Sequence, residues 1–187
     1  MENVFLEGFF ALIVSNYPTW MLQFAEAMLF ILPAYFGNAV PVITSGLGPI
    51  DRGKNFFDGR RLLGKNKTIG GILGGLISGE ITWIGIYSVF PTVFSVYPLW
   101  LGFVLGFGAL LGDATGSFLK RRLNIPSGGP FPIVDQLGFI LMAFFLVWLV
   151  GVSYPVWYLY YVIPTTLFVH LGSNLLAYKM GWKDVWW

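Results

Sequence analysis

All eleven lysines and arginines of this 187-residue chain fall in three clusters, and long apolar runs keep the clusters apart. Arg52, Lys54, Arg60, Arg61, Lys65 and Lys67 lie between a first and a second run. Lys120, Arg121 and Arg122 separate a third from a fourth, and Lys179 and Lys183 follow a fifth. The runs span about Thr19–Ile43, Thr68–Phe90, Pro98–Leu119, Val134–Gly151 and Val156–Tyr178. Each is close to the roughly 20 helical residues that cross a hydrocarbon core of about 30 Å. Cations gather on the cytoplasmic side of membrane helices, and the intervening loops around "PTVFSVYP" and "GVSYPVW" hold none. Five transmembrane helices, with an outside N-terminus and a cytoplasmic C-terminus, satisfy this distribution without exception.

Composition agrees: 56% of residues are hydrophobic and 11% charged, against about a quarter charged in soluble domains. The expected architecture is an all-α integral membrane protein, one polytopic domain over residues 1–187, with basic cytoplasmic loops at about 44–67 and 120–133. The opening "MENVFLEGFFALIVSNYP" is apolar but acidic, lacks the basic start of a signal peptide, and reads as an interfacial or partly inserted segment. Tyr97, Trp100, Tyr154 and Trp157 are placed for an outer aromatic belt, and Trp182, Trp186 and Trp187 for an inner one. With no cysteine, disulfides, thiolate nucleophiles and Cys-ligated metals are excluded. No feature bears on the number of copies in an assembly, and no nucleic-acid polymer is expected as a partner.

Glycines indicate how the helices meet. Gly70, Gly71, Gly74, Gly75 and Gly79 recur at four-residue spacing in the second run, and Gly102, Gly106, Gly108, Gly112 and Gly116 in the third. Small residues at this interval let helix backbones approach closely in lipid, so the second and third spans are expected to pack together.

The end of the third span, "GDATGSFLKRR", brings polar chemistry into the apolar run. Residues three or four apart share a helix face, which puts Asp113, Ser117, Lys120 and Arg121 on one stripe. Asp113 precedes Lys120 by seven residues and therefore lies roughly 10 Å deeper, where an ionised carboxylate needs water, a cation or a metal. Asp135 opens the fourth span after "NIPSGGPFPIV". Two acids at one membrane face, separated by Lys-Arg-Arg and the turn at Gly128 and Gly129, are the parts of a site for a hard cation and phosphate. Carboxylates suit Mg²⁺, and cations and backbone N–H groups suit phosphate oxygens. Asp113 and Asp135 are the expected metal ligands. The first basic loop, "SGLGPIDRGKNFFDGRRLLGKNKT", alternates glycine, acid and base. Lys54, Asp58, Arg60, Arg61, Lys65 and Lys67 suit a loop that wraps a polyphosphate, although a loop that only holds orientation and anionic headgroups is the plainer alternative.

The combination "GDATGSFLKRR…GGP…DQ" resembles the signature of the membrane-integral CTP:phosphatidate cytidylyltransferases, G-D-x-x-x-S-x-x-K-R followed by a Gly-Gly stretch and an Asp. It is more similar to their archaeal branch, the CDP-archaeol synthase family, in its short connection to "DQ" and in "DGRRLLGKNKTIGG". The likeness runs from "GNAVPVI", which contains Asn38, to the fifth span. The connection from Lys120 to Asp135 lacks the Lys-Asp pair and the His of the bacterial and eukaryotic pattern, which argues for the archaeal branch.

The resemblance implies a Mg²⁺-dependent nucleotidyltransferase of the cell membrane with its site facing the cytoplasm. CTP and the isoprenoid lipid 2,3-bis-O-(geranylgeranyl)glycerol 1-phosphate would give the CDP-activated lipid and pyrophosphate. On that expectation Asp113 and Asp135 hold metal, and Lys120, Arg121, Arg122, Lys65 and Lys67 neutralise phosphate. Ser117 donates to a phosphate oxygen. Asn38 joins the binding set because it falls in the similar stretch. Glu26 and Glu80 match no catalytic motif, while His170 with Ser173 and Asn174 in the fifth span has the make-up of a site. A lone His is commonly a structural hydrogen-bonding residue, and Glu80 suits a helix–helix contact better than a metal.

Two other classes compete. A small transporter of phosphorylated solute or lipid also uses intramembrane acids and glycine-rich helices, but no inverted repeat relates the halves. A CDP-alcohol phosphotransferase shares only a superficial likeness at "FFDGRRLLG".

Overall fold

A computed structural model describes residues 16–126 and 129–181. Most of the opening segment, Gly128, Trp182, Lys183, Trp186 and Trp187 lie outside the described residues. Five long helices account for most of the described chain: α1 Thr19–Ala39, α2 Ile69–Val89, α3 Leu101–Arg122, α4 Val134–Leu149 and α5 Trp157–Lys179. Their bounds fall within a few residues of the apolar runs, and no β-strand occurs among the described residues. Three segments, Thr19–Val42, Ile69–Val89 and Leu101–Arg122, are long and apolar enough to cross a membrane, and Val134–Leu149 is a shorter apolar helix.

Helix α3 lies at the centre, against α1, α2 and α4, while α5 packs on α1 and α4. Glycine makes these contacts possible. A Cβ added at Gly79 would lie 2.8 Å from the Gly102 carbonyl oxygen, and one at Gly75 would lie 2.6 Å from the Gly37 carbonyl oxygen. The second and third spans therefore pack together, as their spacing predicts, with α1 joining through Gly37. The glycines of α3 divide between two partners. Gly102 and Gly106 face α2, whereas a Cβ at Gly108 would meet the Ala143 Cα of α4 at 2.5 Å. Gly70 and Gly74 abut Thr44 of the connecting loop instead of a helix.

The end of the bundle away from the basic loops is closed by rings. Phe30 is fully buried among Tyr158 at 4.9 Å, Tyr97 at 5.1 Å, Tyr154 at 6.0 Å, and Trp83 and Phe144 at 6.1 Å between ring centroids. Tyr97 is thus a core residue and not part of an outer belt, because the chain after the Pro91–Phe94 turn folds it inward onto Phe30. Tyr154 also packs on this cluster, while Trp100 stays exposed.

The two unassigned acids serve this framework. The Tyr158 hydroxyl donates to Glu26 Oε1 at 2.6 Å. Glu80 Oε2 accepts the Phe103 N–H at 2.7 Å, in the first turn of α3, where backbone donors have no intrahelical partner and favour negative charge. Glu80 is a cap supplied by a neighbouring helix.

Candidate functional site

At the basic end the first loop is folded, and Asp51 organises it. Its side chain is fully buried and accepts from both Nε (3.0 Å) and Nη2 (2.9 Å) of Arg61. The N–H groups of Gly53 (3.0 Å), Leu63 (3.1 Å) and Gly64 (3.0 Å) complete its shell. The Arg61 guanidinium holds the Asp51 carboxyl well below the usual carboxylate range against the opposing effect of burial, and the backbone donors add to it. Asp51 raises Arg61 in return. Within the loop, residues 54–62 double back through Leu62 N–H to Lys54 O (3.0 Å) and Phe56 N–H to Arg60 O (2.7 Å). Gly59 turns the tip at φ +75°, where glycine carries no steric penalty.

Arg122 pins this loop to the end of α3. Its guanidinium lies 4.9 Å from the Phe56 ring centroid and 4.8 Å from that of Phe118, and it donates to Arg61 O at 2.7 Å. It also pairs with Asp58 at 3.0 Å, while the Arg60 guanidinium donates to Arg122 O. Arg60, Arg61, Arg122 and Asp58 are thereby committed to loop structure, and the Lys54 side chain is exposed on the hairpin.

Lys65 and Lys67 follow the ordered loop and reach a cavity of about 570 Å³ walled by Asn38, Pro41, Val42, Ser45, Lys65, Asn66, Lys67, Thr68 and Asp113. A neighbouring cavity of about 310 Å³ is lined by Asn38, Asp113, Lys120, Asp135, Gln136, His170 and Asn174 together with the Pro130–Pro132 turn. The two share Asn38 and Asp113. Lys67 pairs with Asp113 across the loop and α3, and Lys120 Nζ donates to Asp135 Oδ2 at 2.6 Å. Asp135 Oδ2 also accepts the Phe131 N–H at 3.0 Å.

Ser117 follows Asp113 by one turn and is half-buried. Gly129 turns the chain toward the cavity, its N–H on Pro126 O at 2.9 Å. Arg121 Nε is buried without a hydrogen-bond partner among the described residues. A buried donor in that condition calls for an acceptor.

Asp113 and Asp135, which lie 22 residues apart in the sequence, therefore line one cavity, each already holding a lysine ammonium. The donor set tests well for a hard divalent ion: two carboxylates and the Asn38 amide border the same space. No group of three or more His, Cys, Asp or Glu suited to a metal occurs among the described residues. Mg²⁺ does not require one, since it is commonly held by one or two carboxylates plus substrate phosphates and water.

Sequence reasoning missed Asn66, Thr68 and Gln136 in the cavity walls, and it gave His170 a structural place. The readable signal for His170 was its four-residue spacing to the polar Thr166 and Asn174 on a mostly apolar helix.

A helical bundle closed by aromatics at one end, with paired carboxylates, lysines and amides lining cavities at the other, defines an intramembrane protein built for phosphate chemistry. The chain belongs to the CDP-archaeol synthase family, whose CarS-like model matches residues 21–187. It is 44% identical over 169 residues to a CDP-archaeol synthase of Pyrococcus horikoshii, covering 89% of this chain and 99% of that one. A CDP-archaeol synthase of Methanococcus aeolicus is 48% identical over 173 residues, covering 87% of this chain and 96% of the relative. A solved structure, described as an intramembrane enzyme for archaeal membrane lipids biosynthesis, superposes with a TM-score of 0.70 at 36% identity, over 79% of this chain and 92% of that one.

Proposed function

We propose that this chain transfers the cytidylyl group of CTP to 2,3-bis-O-(geranylgeranyl)glycerol 1-phosphate, releasing pyrophosphate and forming the CDP-activated ether lipid. The carrying observation is that Asp113 and Asp135, each ion-paired to a lysine, wall one cavity at the basic end of the bundle. Membership of a synthase family leaves the transporter reading without support.

In the reaction an oxygen of the lipid phosphate attacks the α-phosphorus of CTP, and the bond from that phosphorus to the bridging oxygen of the β-phosphate breaks. Such transfers are catalysed mainly by positioning and charge stabilisation. Asp113 and Asp135 are the proposed ligands of Mg²⁺, with Asn38 beside them. Bound there, the ion would neutralise phosphate oxygens and align the attacking and leaving ones. Lys67 lines the larger cavity and Lys120 the smaller, and each can exchange its carboxylate partner for a phosphate oxygen. Lys65 and the half-buried Arg121 add positive charge, and Ser117 adds a donor. The Asp51–Arg61 pair and the Arg122 stack hold the loop that delivers Lys65 and Lys67.

The site faces the cytoplasm, where CTP is found, with five spans, an outside N-terminus and a cytoplasmic C-terminus in the cell membrane. The whole chain acts as one polytopic unit. The clustering of the eleven cations supports this orientation.

The test is incorporation of labelled CTP into a chloroform-soluble product by purified protein given the lipid phosphate and Mg²⁺, with EDTA as control. Asp113→Asn and Asp135→Asn are each expected to lower turnover at least a hundredfold while extracting and melting like the parent. Metal-independent labelling refutes the Mg²⁺ assignment, and substantial activity in either variant removes that carboxylate from the ligand set.

A further inference from the structure

Helix α5 carries one polar stripe through an apolar surface. Thr166, His170 and Asn174 are four residues apart and so stay on nearly one face. Thr166 is buried: its hydroxyl donates to Val162 O at 2.6 Å, so the Tyr35 hydroxyl, 2.6 Å away, is the donor to Thr166 Oγ1. That contact fastens α5 to α1 and fixes the rotation of the turns beyond it. The next two members of the stripe, His170 and Asn174, line the smaller cavity with Lys120, Asp113 and Asp135. Their side chains lie 3.1 Å apart, Asn174 Nδ2 to His170 Nδ1. With the amide nitrogen donating, Nδ1 is the acceptor and the neutral ring carries its proton on Nε2.

The two cavities differ in what forms their walls. The larger one is bordered by Pro41 and Val42 and, for the rest of its wall beyond Asn38 and Asp113, by the first basic loop through Ser45, Lys65, Asn66, Lys67 and Thr68. The smaller one is bordered by α5, whose residues beside the stripe are apolar and exposed: Phe168, Val169, Leu171, Leu175 and Leu176. In a membrane this surface meets hydrocarbon. A nucleotide has no part that requires such a wall, whereas a lipid phosphate must bring its headgroup to Asp113 while its chains stay in lipid.

We infer that His170 and Asn174 form the recognition arm for the phosphate end of the lipid substrate, which enters along α5, while the nucleotide enters from the loop side. The assignment rests on the cytidylyl-transfer reading and adds to it the direction from which each substrate meets Asp113. The arm supplies N–H donors to phosphate or glycerol oxygens on the cavity wall that α5 forms. Lys120, on α3, supplies the charge in the same cavity.

The experiment measures His170→Gln, His170→Ala and Asn174→Ala in detergent micelles with two readouts. Steady-state kinetics are recorded against lipid phosphate and against CTP separately. Thermal shift is recorded with a dialkylglycerol phosphate alone and with CTP alone. The expected result is a rise of tenfold or more in KM for the lipid phosphate in both alanine variants, with KM for CTP within twofold of the parent. The glutamine variant keeps a side-chain donor and should recover part of the loss. The lipid phosphate should stabilise the parent and not the alanine variants, and CTP should stabilise all four proteins alike.

A rise confined to KM for CTP overturns the inference in favour of a nucleotide contact. Loss of kcat and melting temperature with both KM values unchanged overturns it in favour of a structural role. If the parent binds the lipid phosphate through these residues yet forms no CDP-lipid, the transfer reading fails and the recognition arm stands. Lipid-phosphate stabilisation that survives in the alanine variants removes the arm whatever the activity.

Discussion

Removing the Asp51 carboxylate tests whether the first basic loop is a built part of the site. Asp51→Ala deletes five accepted hydrogen bonds at 2.9 to 3.1 Å and strands the Arg61 guanidinium with three backbone N–H groups. Breaking a buried ion pair by removing one partner typically costs about 3–5 kcal/mol. The Arg61 side chain is one-third exposed and can turn to water, so the lower end applies, about 3 kcal/mol. At about 1.4 kcal/mol per tenfold, local opening of residues 50–64 should become on the order of a hundredfold more frequent.

The helices do not depend on this contact, so the loss is local. Hydrogen exchange in detergent, read on peptides across residues 50–67, should speed up by about that factor at Leu63 and Gly64, while α2 peptides exchange as before. A change under about tenfold, or equal acceleration in α2, refutes the idea that Asp51 governs the loop. Because Lys65 directly follows Gly64, turnover should fall with loop protection.

Acidification gives an independent check. The folded Asp51 pKa is depressed, so its contribution is fully present above the ordinary carboxylate value of 3.8 and is lost as pH falls through the lower folded value. Loop protection, corrected for the intrinsic exchange rate, should hold from pH 7 to pH 4 and fail only below the ordinary range. Gly79→Ala forces a Cβ to 2.8 Å from the Gly102 carbonyl oxygen, an overpacking that costs about 1–3 kcal/mol. Its melting temperature should drop by several degrees, whereas Gly85→Ala, with open space around its Cβ, should melt like the parent. Arg122→Lys keeps the charge but loses the planar fork and the flat stack between Phe56 and Phe118. Trypsin should then cleave the 54–61 hairpin several times faster, and an unchanged rate would remove Arg122 as the pin.

What the sequence made readable, and what it hid, divides along the range of the interaction. Helix positions were readable because each run answers to the membrane on its own, and the α3 stripe of Asp113 and Lys120 was readable because four-residue spacing is local geometry. The role of Asp51 was not: in the loop it is one acid among glycines and cations, and its burial depends on Arg61 and on amides up to thirteen residues away. Tyr97 misled for the same reason, since an aromatic after a loop looks like a belt residue until Phe30, from another helix, is seen to receive it.

His170 shows how distant packing decides a local residue's chemistry. On its own helix it is a lone polar side chain, for which a structural hydrogen bond is the ordinary reading. It borders a cavity because α3 carries Asp113 to the same end as Asn38 of α1 and Asp135 at the start of α4, and because the Tyr35–Thr166 contact sets the face that α5 presents there. Four helices, none of which encodes the cavity alone, combine to place an imidazole beside two carboxylates and a lysine. A substitution at Tyr35, which lines neither cavity, should therefore disturb lipid-phosphate binding by letting α5 turn: Tyr35→Phe should raise KM for the lipid phosphate while leaving KM for CTP in place, and equal effects on both substrates would break the link between that hydrogen bond and the arm.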